Sequence, residues 1–126
     1  MNVKMDLVHF FFKLETEVKL FHWQTPSYAQ HQASDKLHAT LLPLIDEFME
    51  VYQAKYGRVQ SKEPELKFSI KQRDLQSMIE FLTRCMKYLN SLDVKGIIPS
   101  KDTDLLNIRD EMVGTINQTI YLFSFN

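Results

Sequence analysis

At 126 residues, 44% hydrophobic and 25% charged, the chain is long enough for a single domain (1–126) that buries its own core without cross-links. With 15 Lys and Arg against 16 Asp and Glu it carries no broad basic field, so DNA is not an expected partner. No apolar run approaches the ~20 residues of a membrane helix, and Met1 to Asp6 lack the charged head and apolar middle of a secretory signal, so no membrane contact and a cytoplasmic location are expected.

Strand patterns are absent, and four helical segments follow one another. From Lys4 to Trp23, the apolar residues Leu7, Phe11, Leu14, Val18 and Phe21 recur at steps of three and four, which predicts the first helix. Thr25-Pro26-Ser27 should end it and open the next, since proline suits a helix entrance and not a helix interior. The second helix is predicted from Tyr28 to Tyr56, closed by Gly57, with Leu37, Leu41, Leu44, Phe48 and Val51 on its core face. Pro43 inside it should bend the helix or cost a backbone hydrogen bond. A polar segment from Arg58 to Ser69 leads to a third helix from about Ile70 to Leu92, with Leu75, Ile79, Leu82, Met86 and Leu89 as its stripe. The single Cys85 lies in that helix and reads as a small buried apolar residue, not a reactive thiol. A fourth helix is predicted from Asp102, a plausible cap, through Leu105, Ile108, Met112, Ile116, Ile120 and Phe123. Short first and third links make antiparallel pairs. The middle link is long enough to recross a bundle, at ~3.3 Å per residue, although an up-down-up-down bundle would also close.

The second helix carries the chemistry. His31/Asp35 and Asp46/Glu50 are each four residues apart, so each pair projects from one helical face as a two-ligand clip. Asp35 and Asp46 are about 20° apart around the axis but ~16 Å apart along it, so no single ion touches both clips. A two-fold axis near Thr40 and Leu41 would set the Asp46/Glu50 clip of one chain against the His31/Asp35 clip of another, with two equivalent sites ~22 Å apart. His38, one turn beyond Asp35, reads as a surface histidine, with ligation as the alternative. No Glu-x-x-His pattern is present to build a di-iron centre inside one bundle.

The run His22-Trp23 to His31, His31-x-x-x-Asp35, and then Asp46 and Glu50 at eleven and fifteen residues after Asp35 resemble the Dps branch (DNA protection during starvation) of the ferritin-like proteins. Compact Dps-like proteins of viruses look similar too. The resemblance spans nearly the whole chain and implies an all-α, ferritin-like four-helix bundle with a crossover between the second and third helices. It implies a metal site of His22, His31 and Asp35 from one subunit with Asp46 and Glu50 from the next. His22, Asp35 and the partner's Glu50 would hold a first Fe(II), with His31 and the partner's Asp46 serving a second ion or its water. Trp23 would stand close enough to quench stray radicals, or would pack at an interface. Ferroxidase activity with peroxide or dioxygen, iron storage, and a homo-oligomer, from a two-fold dimer up to a twelve-subunit shell, are implied with it. The location would be the host cytoplasm if the source is viral. Two imidazoles and three carboxylates suit iron, and Zn or Mn would also fit. The chain departs from the family in a shorter connection between His22 and His31, no small helix after Gly57, and no basic N-terminal tail. The reading of another class is a non-catalytic helical oligomer or structural protein, viral if the source is, with residual or no metal binding.

Overall fold

The computed structural model describes residues 3–63 and 65–125; Met1, Asn2, Pro64 and Asn126 lie outside the described residues. Among the described residues there are four helices and no strand: α1 (Val3–Gln24), α2 (Tyr28–Tyr56), α3 (Leu75–Asn90) and α4 (Thr103–Leu122). The boundaries of α2 are set locally. The Ser27 hydroxyl accepts from the Gln30 amide at 3.3 Å, satisfying one of the unpaired donors of the first turn. At the other end Gly57 takes φ 89°, a conformation that side chains resist, while its N–H closes on the Gln53 carbonyl. Pro43 does not interrupt the helix. It and Ala39, whose carbonyl it cannot serve, are both exposed, so the orphaned oxygen lies on the solvent side.

Side-chain contacts give the directions. α1 and α2 are antiparallel: Phe11 meets Phe48 with ring centroids 5.3 Å apart, and His22 meets His31. α2 and α4 are antiparallel, with Lys55 Nζ 2.7 Å from Asp104 and Lys36 sharing a hollow with Leu122 and Phe125. Arg109 of α4 donates to the Leu89 carbonyl of α3 at 2.7 Å, while Phe10 of α1 lies 4.3 Å from Tyr88 of α3. Lys13, one turn further along α1, faces Phe81, earlier on α3. α3 therefore runs against both α1 and α4, and parallel to α2.

The segment between α2 and α3 follows α1 from start to finish. Lys4 donates to the Tyr56 carbonyl, Phe12 lies 6.2 Å from Phe68, and Lys13 donates to the Ser69 carbonyl. Glu17 then receives the Lys71 amide at 2.8 Å and the Arg73 guanidinium. The Glu17 side chain is fully buried and Arg73 is nearly so, with the Arg73 guanidinium 4.5 Å above the Phe81 ring. A buried carboxylate needs such partners, because its lost hydration is otherwise uncompensated.

This latch explains why α3 begins at Leu75 and not near Ile70. The residues before it are drawn onto Glu17, and Asp74 then caps the helix by accepting from the Ser77 amide at 2.8 Å. The buried stripe is also rotated from the expected one: Met78, Phe81 and Cys85 are buried with Leu82 and Leu89, while Leu75, Ile79 and Met86 are half-buried. On α2, Ile45 and Tyr52 are buried, where Leu44 and Val51 were expected and are only half-buried. Each helix packs against two neighbours, so its buried face is centred between them. Asp102 stands at the cap position of α4 without capping it, because its carboxylate is taken by the Tyr56 hydroxyl and Lys55.

Candidate metal centre

Where α1 ends and α2 begins, His22 and His31 face each other across the tight turn. Their rings stack with centroids 3.9 Å apart and planes 18° from parallel. His22 Nδ1 is 2.8 Å from the His31 carbonyl, and His31 Nδ1 is 2.8 Å from the His22 carbonyl. A carbonyl only accepts, so both Nδ1 atoms carry the hydrogen and both Nε2 lone pairs are left for a ligand. Histidines that bind metals are oriented in this way, the second ring nitrogen donating to a carbonyl or carboxylate. Ser34, fully buried beneath the pair, supports it: its hydroxyl donates to the Gln30 carbonyl at 2.8 Å, lies 3.1 Å from the His31 carbonyl, and sits 3.4 Å from His22 Nδ1.

Asp35 is exposed one turn after His31, with Oδ1 3.8 Å from His22 Nε2. That separation exceeds a hydrogen bond and lies within the span of two ligands that each bond one cation at about 2.1 Å. The short connection thus delivers His22 to the other two residues. The interlocking carbonyls and Ser34 were not foreseen, since backbone acceptors leave no mark in a sequence.

Asp46 and Glu50 are exposed on the same helix, three to four turns further on, and do not join this group within one chain. Among the described residues, no group of three or more His, Cys, Asp and Glu is arranged to hold a metal ion. What one chain presents is two partial sets of donors. Asp46 lies with Glu15 of α1 in a largely apolar cleft of about 560 Å³ that also contains Phe12, Leu42 and Met49. Partial burial, with the charge of Asp46, raises the Glu15 carboxyl above its ordinary range. His38 is half-buried beside Glu15, Lys19 and Trp23. Burial pulls its pKa down, helped by Lys19 and His22 and opposed by Asp35. Trp23 itself is 69% exposed, with Lys19 Nζ 5.9 Å above its ring.

A family model matches residues 22–123, from the last turn of α1 through α4. The chain belongs to the family of unknown function DUF5856. The DUF5856 match begins at His22 and takes in His31, Asp35, Asp46 and Glu50. No curated protein and no solved structure matches the chain. None of the helices in this DUF5856 chain is long and apolar enough to cross a membrane, among the described residues.

Proposed function

We propose that this protein is a Dps-like iron-binding oligomer that oxidises Fe(II) with peroxide or dioxygen at sites shared between subunits and then sequesters the product. The observation that carries the reading is the reciprocal pairing of His22 and His31, which leaves both Nε2 atoms available beside Asp35. Exposed Asp46 and Glu50 supply the missing carboxylates if a second chain packs antiparallel along α2. The parallel α2 and α3, joined by a segment that retraces α1, support the finer assignment of a ferritin-like bundle with a crossover.

Iron is the substrate in this reading. The imidazoles and carboxylates hold Fe(II), and the oxygen donors favour the Fe(III) that forms; Zn or Mn would occupy the same donors. Two Fe(II) each give one electron to a peroxide, its O–O bond breaks, and with two protons it leaves as two waters. Trp23, next to His22 in sequence and widely exposed, is placed to take up a stray oxidising equivalent or to pack against a neighbouring subunit. The near-neutral chain gives no reason to include DNA among its partners. The dimer is the minimum unit, the twelve-subunit shell its larger form, and the cytoplasm its setting.

A second reading is a helical oligomer with no metal turnover. It is favoured by Trp23, Tyr28, Tyr121 and Phe125, exposed aromatics on the elements that meet at one end of the bundle and suited to subunit contacts of any kind. Native mass measurement with anaerobic Fe(II) titration separates the two. An oligomer that binds Fe(II) and oxidises it on adding peroxide supports the first reading, and an oligomer that binds none leaves the second.

A further inference from the structure

Trp23 is the only tryptophan of the chain, and it stands at the end of α1 with 69% of its surface exposed. A large aromatic side chain left in water by its own chain is the kind that anchors contacts between chains. The molecule also holds a place for one. The cleft of about 560 Å³ between α1, α2 and the connecting segment is largely apolar, and Phe12 and Leu66, which line it, are themselves 41% and 40% exposed. Clefts of roughly 300–1,000 Å³ enclose most of a ligand larger than an indole.

Trp23 and the cleft lie on one side of the α1–α2 pair. Phe12, Thr16, Lys19 and Trp23 recur along α1 at steps of three and four, and Glu15 lines both the cleft and the hollow that contains Trp23. Trp23 is about 16 Å beyond Phe12 along the helix axis, too far to reach the cleft of its own chain. A two-fold axis at the midpoint carries it into the cleft of another. Phe11 lies against Phe48 and His22 against His31, which sets that midpoint, near Val18, level with about Lys36 to Leu41 of α2. The axis that the two ligand clips need, near Thr40 and Leu41, falls within a turn of it. Charge agrees as well: the cleft carries Glu15, Asp46 and Glu63, with no Lys, Arg or His among the described residues that line it, while Lys19 holds its ammonium 5.9 Å above the Trp23 ring. Opposite charges meet where the apolar surfaces do.

We infer that two copies of this chain exchange their tryptophans, Trp23 of each seated in the other's cleft against Phe12 and Met49, with Lys19 beside the carboxylates at its rim. The buried indole Nε1–H then has carboxylate acceptors in Glu15 and Asp46, which a tryptophan removed from water needs. The contact is isologous, so it occurs twice about the axis. It rests on the two-fold packing along α2 proposed above and not on metal, and it holds equally for an oligomer without turnover.

Because Trp23 is the only tryptophan, fluorescence of the metal-free protein reports on it alone. Across a dilution series followed in parallel by sedimentation, the dimer should emit further to the blue than the monomer and resist quenching by acrylamide. Trp23→Ala and Phe12→Glu, both at exposed positions and with helix content unchanged by circular dichroism, should each weaken association about tenfold or more. Mixed together, the two variants should pair with each other in preference to themselves, since only the mixed dimer keeps one intact contact between a tryptophan and a cleft. A dimer whose Trp23 stays open to acrylamide, wild-type association in either variant, or no preference for the mixed pair overturns the seating and leaves the intersubunit metal site standing. A wild type that stays monomeric at every concentration takes the two-fold packing down with it.

Discussion

His22 and His31 belong to different helices, and each ring donates from Nδ1 to the other's backbone carbonyl at 2.8 Å while the two rings stack. The pair is self-orienting. Neither ring can turn without breaking its own bond and unstacking its neighbour, so the two Nε2 atoms are positioned before any ligand arrives.

Substitution within this pair should separate binding from stability. His22→Phe keeps an aromatic ring in the stack and deletes one neutral hydrogen bond, a cost of about 1 kcal/mol. The Ser34 hydroxyl, 3.1 Å from the His31 carbonyl, can rotate its one hydrogen from the Gln30 carbonyl to the freed acceptor. Urea denaturation should therefore show a small shift, and metal titration a fall in affinity of ten-fold or more. Unchanged metal affinity in His22→Phe would remove His22 from the site.

The proposed division of the site between chains predicts complementation. His31→Ala and Asp46→Asn homodimers each have two damaged sites, and Fe(II) oxidation should drop severalfold in both. Random pairing of the two variants makes about half the dimers mixed, each with one intact site, so about a quarter of wild-type sites should return after refolding together. Stopped-flow oxidation measures this. Additive, uncomplemented rates would mean that His31 and Asp46 do not share a site across the two chains.

The Glu17–Arg73 pair, buried where the connecting segment reaches α3, should dominate the stability of that junction. Glu17→Ala strands the guanidinium without its carboxylate and should cost about 3–5 kcal/mol. Glu17→Met with Arg73→Met removes both charges and should cost much less, since no buried charge is left unpaired. Urea midpoints for Glu17→Met, Arg73→Met and the double variant measure the coupling. Additive losses would mean that the pair is not coupled.

Burial pushes the Cys85 thiol up to about 12. The folded state therefore holds the neutral thiol at a pH where the unfolded chain, with a pKa near 8.5, has lost its proton. A raised pKa stabilises fully below the unfolded value, and that contribution is lost as pH rises from about 8.5 towards 12. From pH 7 to pH 10 the urea midpoint of the wild type should fall more than that of Cys85→Ala. At pH 8 a thiol reagent should label folded Cys85 only as fast as the protein opens. Rapid labelling of the folded protein would contradict its burial.

Local rules were enough to read much of this fold from the amino acids. Ser27 and Gly57 mark the ends of α2 because capping depends on residues within one turn, and the predicted span Tyr28–Tyr56 is the one observed. The two clips on α2 follow from helical arithmetic alone. Periodicity, however, reports that a helix has an apolar face and not which neighbours share it. That is why Ile45, Tyr52, Met78 and Phe81 are buried where periodicity pointed to Leu44, Val51, Leu75 and Ile79. The start of α3 depends on Glu17, more than fifty residues earlier, whose carboxylate draws in the Lys71 amide and Arg73. The locked tautomers of His22 and His31 depend on each other's carbonyls. Contacts distant along the chain, and hydrogen bonds to a backbone that every residue shares, have no signature in composition or spacing, so only the assembled bundle decides them.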